Sequence, residues 1–215
     1  IKEKGAESLV KNLAQELKIN EKLSNLLVCR GIKTYKEAHA FFRPELSHLH
    51  DPFLMKDMDL AINRIKKAIT NHEKILVYGD YDVDGTTSVA MMYSFLKPRI
   101  EQIEYYIPDR YSEGYGISPQ SINYAIDNGF TLVIALDCGI KAVEKIEDAK
   151  NRGLDFIICD HHRPGDELPA AVAVLDAKRN DSTYPFDELS GCGVGFKLIQ
   201  AYAQTYNIPF ESLHK

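Results

Sequence analysis

Apolar positions recur along this chain with two different periods. Up to about residue 70 they fall at helical spacing. Leu9, Val10, Leu13 and Leu17 share one face of residues 6–17, and residues 23–30 form a second apolar-faced stretch that Gly31 ends. Thr34-Tyr35-Lys36-Glu37 has the form of a capping box introducing a helix over residues 38–42, which stops before Pro44. Residues 45–54 are polar and read as a loop despite His48, His50 and Asp51. Asp57 is placed to cap a helix over residues 58–70, with Ala61, Ile62, Ile65, Ala68 and Ile69 as its buried stripe.

From Lys74 the pattern changes to short, continuous apolar runs separated by single helices. The runs are residues 75–78, 103–107, 132–136, 156–159 and 172–175. Between them, Ser118-Pro119 supplies a cap and a first-turn proline for a helix stopped by Gly129. A further helix over 142–152 is stopped by Gly153, and a last one spans about 194–206. Buried strands alternating with helices predict an α/β fold, a doubly wound and mostly parallel sheet over residues 71–215, preceded by a small helical region over 1–70.

Composition narrows the function. Lys+Arg of 26 against Asp+Glu of 31 gives a net charge of −5, which argues against a surface that coats phosphate indiscriminately. A local site or metal ions can still hold a nucleic acid. Cys29, Cys138, Cys159 and Cys192 form no C-x-x-C pair and read as buried, reduced thiols, a usage that fits the cytoplasm. No apolar run is long enough to cross a membrane. The start at Ile1 suggests a piece of a longer protein. Most tyrosines and phenylalanines fall on apolar faces and are expected in the core.

The strand ends carry the candidate chemistry. After Ile75-Leu76-Val77-Tyr78-Gly79 come Asp80, Asp82 and Asp84 at alternate positions. Gly85 is expected to turn the chain, and Thr86-Thr87-Ser88 to cap the next helix. Asp137 follows the third run, and Asp160-His161-His162 follows the fourth. In an open parallel sheet the carboxyl ends of the strands line the ligand crevice, so these groups should meet at one edge. Like charges so close are tolerated beside a cation, and carboxylates with imidazole and no thiolate suit Mn²⁺ or Mg²⁺. Asp80–Gly85 copies the opening of a calcium EF-hand loop, but the twelfth position is Met91 and a strand-like run precedes it, so that reading fails.

Two loops are candidates for substrate phosphate. Arg110, in the segment that also holds Glu113, Gly114 and Tyr115, can fork onto a phosphate or pair with Glu113. Residues 191–195, Gly-Cys-Gly-Val-Gly, precede the last helix, and backbone N–H groups there, Gly193 among them, can hold an anion.

The three acidic segments, in this order, resemble the first three motifs of the DHH phosphoesterases. Agreement extends over nearly the whole chain, through Arg30-Gly31-Ile32, His50-Asp51-Pro52-Phe53, residues 107–116, Leu168-Pro169-Ala170 and residues 190–197, and is greatest with the bacterial single-strand-specific DNA exonucleases of that family. The resemblance implies a phosphodiesterase using two Mn²⁺ or Mg²⁺ ions, degrading single-stranded DNA 5′→3′ to 5′-mononucleotides in repair and recombination. It implies Asp82, Asp84, Asp137 and His161 as metal ligands, Asp80 and Asp160 as ligands or orienting partners, and His162 at the scissile phosphate. Single-strand-binding protein and a RecQ-type helicase are the partners it suggests. Other members hydrolyse oligonucleotides, cyclic dinucleotides or pyrophosphate, and some only bind. Two departures stand out. Tyr78 occupies the place of a histidine common in the family, and a fourth-motif aspartate, with the DHHA1 and oligonucleotide-binding parts, is expected beyond Lys215.

Overall fold

The computed structural model describes residues 5–209, which divide between His50 and Asp51 into two compact units. The first holds α1 (Glu7–Leu17), α2 (Glu21–Val28) and α3 (Tyr35–Phe42), followed by a 3₁₀ turn at Leu46–His48. Val10, Leu13, Leu27, Val28 and Ala38 form its core, and the buried Ser24 hydroxyl donates to the Val10 carbonyl at 2.7 Å. Helix α2 starts two residues earlier than the apolar pattern suggests because the Asn20 side chain accepts from Leu23 N–H. The Thr34–Glu37 capping box is present, and Gly31 has the positive φ of a helix stop.

The second unit opens with a 3₁₀ turn at Pro52–Leu54 and α4 (Met58–Thr70). There follow β1 (Lys74–Gly79), α5 (Val83–Leu96), β2 (Ile103–Tyr106), α6 (Pro119–Asp127), β3 (Phe130–Leu136), α7 (Val143–Asn151), β4 (Asp155–Cys159), β5 (Ala173–Leu175) and α8 (Gly191–Thr205). The five strands form one sheet in the order β2-β1-β3-β4-β5, with every pairing parallel. The chain is thus an α/β protein with a doubly wound sheet and a helical N-terminal region.

Alternation along the strands divides the core into two layers. Ile75, Val77, Ile134, Leu136, Ile157 and Cys159 face one side with α4, α5 and α8. Leu76, Tyr78, Val133, Ala135, Phe156 and Ile158 face the other with α6 and α7. Helix α4, grouped by its pattern with the N-terminal region, contributes Met58, Ala61, Ile62, Ile65 and Ala68 to the sheet's own core.

Several local expectations are corrected. Asp57 precedes α4 but does not cap it; its carboxylate accepts from Arg179 Nη1 at 2.5 Å and from Val174 N–H at 3.3 Å. Helix α5 begins at Val83, not after the threonines, because the Asp82 side chain is its cap and accepts from Gly85 N–H at 2.9 Å. Gly85 therefore lies in the first helical turn, where a Cβ would sit 2.3 Å from the Asp80 carbonyl oxygen. Thr86 and Ser88 bond back to the helix carbonyls of Asp82 and Asp84. Of the four free thiols, Cys138 and Cys159 are buried, but Cys29 is exposed and Cys192 half-buried. The aromatics are also less internal than their pattern suggests. Tyr78, Phe130, Phe156, Tyr184 and Tyr202 are buried, whereas Tyr35, Phe41, Phe42, Tyr105, Tyr111 and Tyr115 are exposed.

Buried Arg64 ties α4 to the amino ends of the strands. It donates to Glu73 Oε2 and Asp155 Oδ2, each at 2.6 Å, and to the Thr131 carbonyl at 3.2 Å. Removing it strands the Glu73 charge beside the sheet. Arg64→Ala is expected to lower unfolding free energy by about 3 kcal/mol, read from urea denaturation, without moving the residues at the opposite sheet edge.

Candidate metal centre

The order β2-β1-β3-β4-β5 has its switch point between β1 and β3, whose connections leave to opposite faces and open a crevice at their carboxyl ends. Asp80 follows β1, Asp137 follows β3 and Asp160 follows β4. All three are buried. The sheet therefore gathers residues far apart in sequence at one rim.

Asp137, His161 and Asp84 form the tightest part. His161 Nε2 lies 3.2 Å from Asp137 Oδ1 and 3.9 Å from Asp84 Oδ2. Asp137, His161 and His162 can each turn one donor atom into a single cluster no more than 4.8 Å across. Asp137 has φ +60°, a left-handed conformation uncommon for a residue with a Cβ. Helix α8 begins against it, and a Cβ on Gly191 would come within 2.2 Å of Asp137 Oδ1. The glycine-rich start of α8 thus lets a helix terminus approach the acids.

That terminus already holds an anion. Gly191 N–H donates to Asp84 Oδ2 at 2.8 Å and Cys192 N–H to Asp84 Oδ1 at 2.7 Å. Gly193 N–H donates to the capping Ser190 hydroxyl at 3.1 Å. The segment expected to face a phosphate lies inside the first turn of α8, and its N–H groups orient Asp84 instead.

Asp160 plays a different part. Its Oδ1 accepts from His161 N–H, His162 N–H and, at 2.7 Å, meets His162 Nδ1; its Oδ2 accepts from Ile140 N–H at 2.9 Å. Burial alone would raise its pKa, but the hydrogen bonds led by His162 bring it below the usual carboxylate value. The same contact raises the His162 pKa. His162 Nε2, on the far side of the ring, is 3.1 Å from the Tyr115 hydroxyl. Asp160 is thus an orienting group, and His162 presents a ring nitrogen to the rim.

Asp80 accepts weakly from Gly116 N–H at 3.4 Å, and Asp82 is exposed at the start of α5. Tyr78, standing where the family commonly has a histidine, turns into the sheet core and donates to the Gly116 carbonyl at 2.7 Å, so it offers no ligand. Arg110 does not pair with Glu113. Its guanidinium lies 5.3 Å over the Tyr81 ring, while Glu113 receives Tyr106 Oη, Asp109 N–H and Ser118 Oγ. Gly114 has φ +79° within that loop.

The donors fit a divalent cation. Asp80 Oδ2 and Asp137 Oδ1 are buried and receive no hydrogen bond. Among the described residues, no lysine or arginine forms an ion pair with Asp80, Asp82, Asp84 or Asp137. Burial first, then the charges of Asp84, Asp82 and Asp160, push the Asp137 pKa up to about 8. Oxygen donors with one imidazole match Mn²⁺ or Mg²⁺.

One strand-end acid escaped the sequence reading. Asp176 directly follows β5, is fully buried, has an unbonded Oδ2, and is raised to about 6, chiefly by burial. The signal was the same apolar run followed by an acid.

An acid-and-imidazole edge on this sheet is the setting of one phosphoesterase class. Residues 74–214 match the DHH family, N-terminal domain, and the chain belongs to that family. Its similarity extends to a particular member. The chain is 46% identical over 192 residues to the single-stranded-DNA-specific exonuclease RecJ of Bacillus subtilis (strain 168), covering 89% of this chain and 24% of that protein. Against RecJ of Escherichia coli (strain K12) the identity is 32% over 180 residues, covering 83% of this chain and 30% of that protein. The chain therefore spans about a quarter to a third of these curated relatives. A crystal structure of exonuclease RecJ bound to manganese matches with a TM-score of 0.65 at 28% identity, over 72% of this chain and 39% of that one. RecJ from Thermus thermophilus, in complex with Mn²⁺, matches in fold with a TM-score of 0.75 at 22% identity, over 96% of this chain and 29% of that one.

The raised pKa of Asp137 fixes a sign. Its folded pKa lies above the unfolded value, so the folded state binds the extra proton and, on this account, metal-free stability falls as pH rises from about 4 towards 8. Asp137→Asn removes the charge and is expected to raise the metal-free thermal midpoint at pH 8 by roughly 2–4 °C, the shift that about 1 kcal/mol gives a chain of this size. The same substitution should abolish the stabilisation that added Mn²⁺ gives the wild type. Thermal melts at pH 5 and 8, with and without Mn²⁺, check both.

Proposed function

We propose that this chain is the catalytic DHH portion of a RecJ-type exonuclease, which degrades single-stranded DNA 5′→3′ and releases 5′-mononucleotides in DNA repair and recombination. The observation that carries the reading is the convergence of Asp84, Asp137 and His161 at one sheet edge, with buried carboxylate oxygens left unbonded. The sequence similarity to RecJ supplies the substrate class. We assign Asp82, Asp84, Asp137 and His161 as metal ligands, with Asp80 beside them. The phosphoesterase domain on this reading begins near Asp51 rather than residue 71.

When bound, two Mn²⁺ or Mg²⁺ ions would supply positive charge to polarise the phosphodiester and to favour deprotonation of the attacking water. The chain's residues do the rest. The α8 terminus holds Asp84 in place, and Asp160 fixes the His162 ring through Nδ1 so that Nε2 faces the substrate side. Release of a 5′-mononucleotide breaks the bond between phosphorus and the 3′-oxygen of the terminal nucleotide. That oxygen departs with a developing negative charge. His162, whose pKa the contact with Asp160 raises, is the group within the rim able to give it a proton. Arg110 and the Gly114–Tyr115 loop are assigned to the substrate backbone, while the Gly193 N–H is taken by the capping Ser190 hydroxyl.

Single-strand-binding protein and a RecQ-type helicase are the partners proposed with this activity, and the cytoplasm its place. Among the described residues no helix is long and apolar enough to cross a membrane.

The test uses the full natural protein, internally labelled single-stranded DNA and Mn²⁺. Mononucleotides should appear from the 5′ end. His161→Ala should cut the rate by at least about 10²-fold, in line with the loss of a metal ligand. A well-folded protein that cleaves no single-stranded DNA, or that turns over cyclic dinucleotides faster, would contradict the reading.

A further inference from the structure

The N-terminal unit keeps three aromatic rings out of its own core. Tyr35, Phe41 and Phe42 all belong to α3 and are 53%, 54% and 59% exposed, while the core closes over Val10, Leu13, Leu27, Val28 and Ala38 without them. Helical spacing puts Tyr35, His39, Phe42 and Arg43 on one side of α3. Together they line a cavity of about 540 Å³, to which Leu17 and the buried Ala38 give an apolar base. The Tyr35 and His39 rings lie 6.2 Å apart at 34° to each other. The volume falls inside the ~300–1,000 Å³ usual for ligand cavities and accepts one base with its sugar.

Charge is divided unevenly along the chain. Residues 1–50 carry nine Lys and Arg against six Glu, a net +3. Residues 51–215 carry seventeen against twenty-five Asp and Glu, a net −8. Two of the six N-terminal acids are already engaged. Glu37 accepts from the Lys33 and Thr34 N–H groups in the capping box, and Glu7 pairs with Lys11 at 2.7 Å. Lys18, Lys36 and Arg43 are exposed and form no ion pair among the described residues. Arg43 lines the cavity, and Lys18 and Lys36 are the chain neighbours of the lining Leu17 and Tyr35.

We propose that this face of the N-terminal unit is a second binding site for the single-stranded DNA substrate, built from residues other than those of the metal centre. A base stacks in the cavity against Tyr35, His39 and Phe42, and Arg43 with the neighbouring lysines meets the phosphates. The inference rests on the exonuclease reading above and deepens it. A catalytic unit of net −8 repels a polyanion, so attraction for the strand has to come from elsewhere in the protein. Rings interleaved with cations are the usual means of holding a single strand, because every base has a π-face. In a duplex the bases are stacked inside and unable to enter, so the site selects unpaired strands. Glu45, the one acid in the lining, accepts from the Ser47 hydroxyl at 3.2 Å. A carboxylate there suits the edge of a base, where it can accept from an exocyclic amino group. Three rings and a guanidinium against two aliphatic side chains favour a nucleic acid over an apolar segment of protein.

The experiment uses the full natural protein and a 3′-fluorescein oligothymidylate, without divalent metal so that the strand stays intact. Fluorescence anisotropy gives the affinity across a salt series. Tyr35→Ala and Phe42→Ala should each weaken binding by about 10-fold, the loss expected for one stacked base. Arg43→Gln should reduce the steepness of log affinity against log salt by about 0.7, the share of one single-strand phosphate. A merely structural role would leave that slope unmoved. Both rings are more than half exposed, so neither truncation opens the core, and thermal midpoints check that the variants fold. Unchanged affinity and salt slope overturn the proposal. With a lowered midpoint in the alanine variants, that result means that another segment of the natural chain covers the face; with an unchanged midpoint, it leaves the face to a protein partner. Mononucleotide release by the wild type in Mn²⁺ is measured on the same strand, and its absence contradicts the exonuclease reading instead.

Discussion

Mutual repulsion among acids at the carboxyl edge of the sheet is the constraint around which this structure is arranged. Asp80, Asp137 and Asp160 each end a strand and each is buried. Asp160 is satisfied by backbone donors and His162, which hold its pKa below the usual carboxylate value despite its burial. Asp80 and Asp137 are not, and both are raised, first by burial. The contrast separates roles. A carboxylate surrounded by donors orients its neighbours, while one left with an open buried oxygen is placed for a cation.

The surrounding elements make that arrangement possible. Gly191 lets α8 start against Asp137, and the first N–H groups of α8 take up the Asp84 carboxylate. Gly85 lets α5 start against the Asp80 backbone, with Asp82 as its cap. Two helix termini therefore face the same acids, and their partial positive charge offsets some of the repulsion. A divalent cation would complete that relief, because among the described residues no lysine or arginine pairs with the cluster and only His161 reaches it.

Much of this was legible in the chain. Five apolar runs gave five strands, and the acids after three of them marked the rim, because the period of the core and the ends of strands are local properties of sequence. What was illegible depended on tertiary approach. Nothing in the glycine run at 191–195 indicates that its N–H groups face Asp84, 107 and 108 residues away in sequence, rather than a ligand. Asp57 has the right residue type for a cap, yet Arg179 draws its carboxylate away. Likewise, Arg110 and Glu113 are close enough in sequence to pair, but Glu113 is occupied by Tyr106, Asp109 and Ser118. Asp176 was a different case. Its pattern, a four-residue apolar run over 172–175 followed directly by an acid, matched the other strand ends and was legible in the chain.

The central claim is that Asp137 and His161 share a metal ion. Anomalous scattering from crystals soaked in Mn²⁺ measures this directly. The account predicts a peak bonded to Asp137 Oδ1 and His161 Nε2 at about 2.1–2.3 Å, with Asp84 alongside. A crystal that binds Mn²⁺ elsewhere and leaves the Asp137–His161 pair without a peak would contradict it.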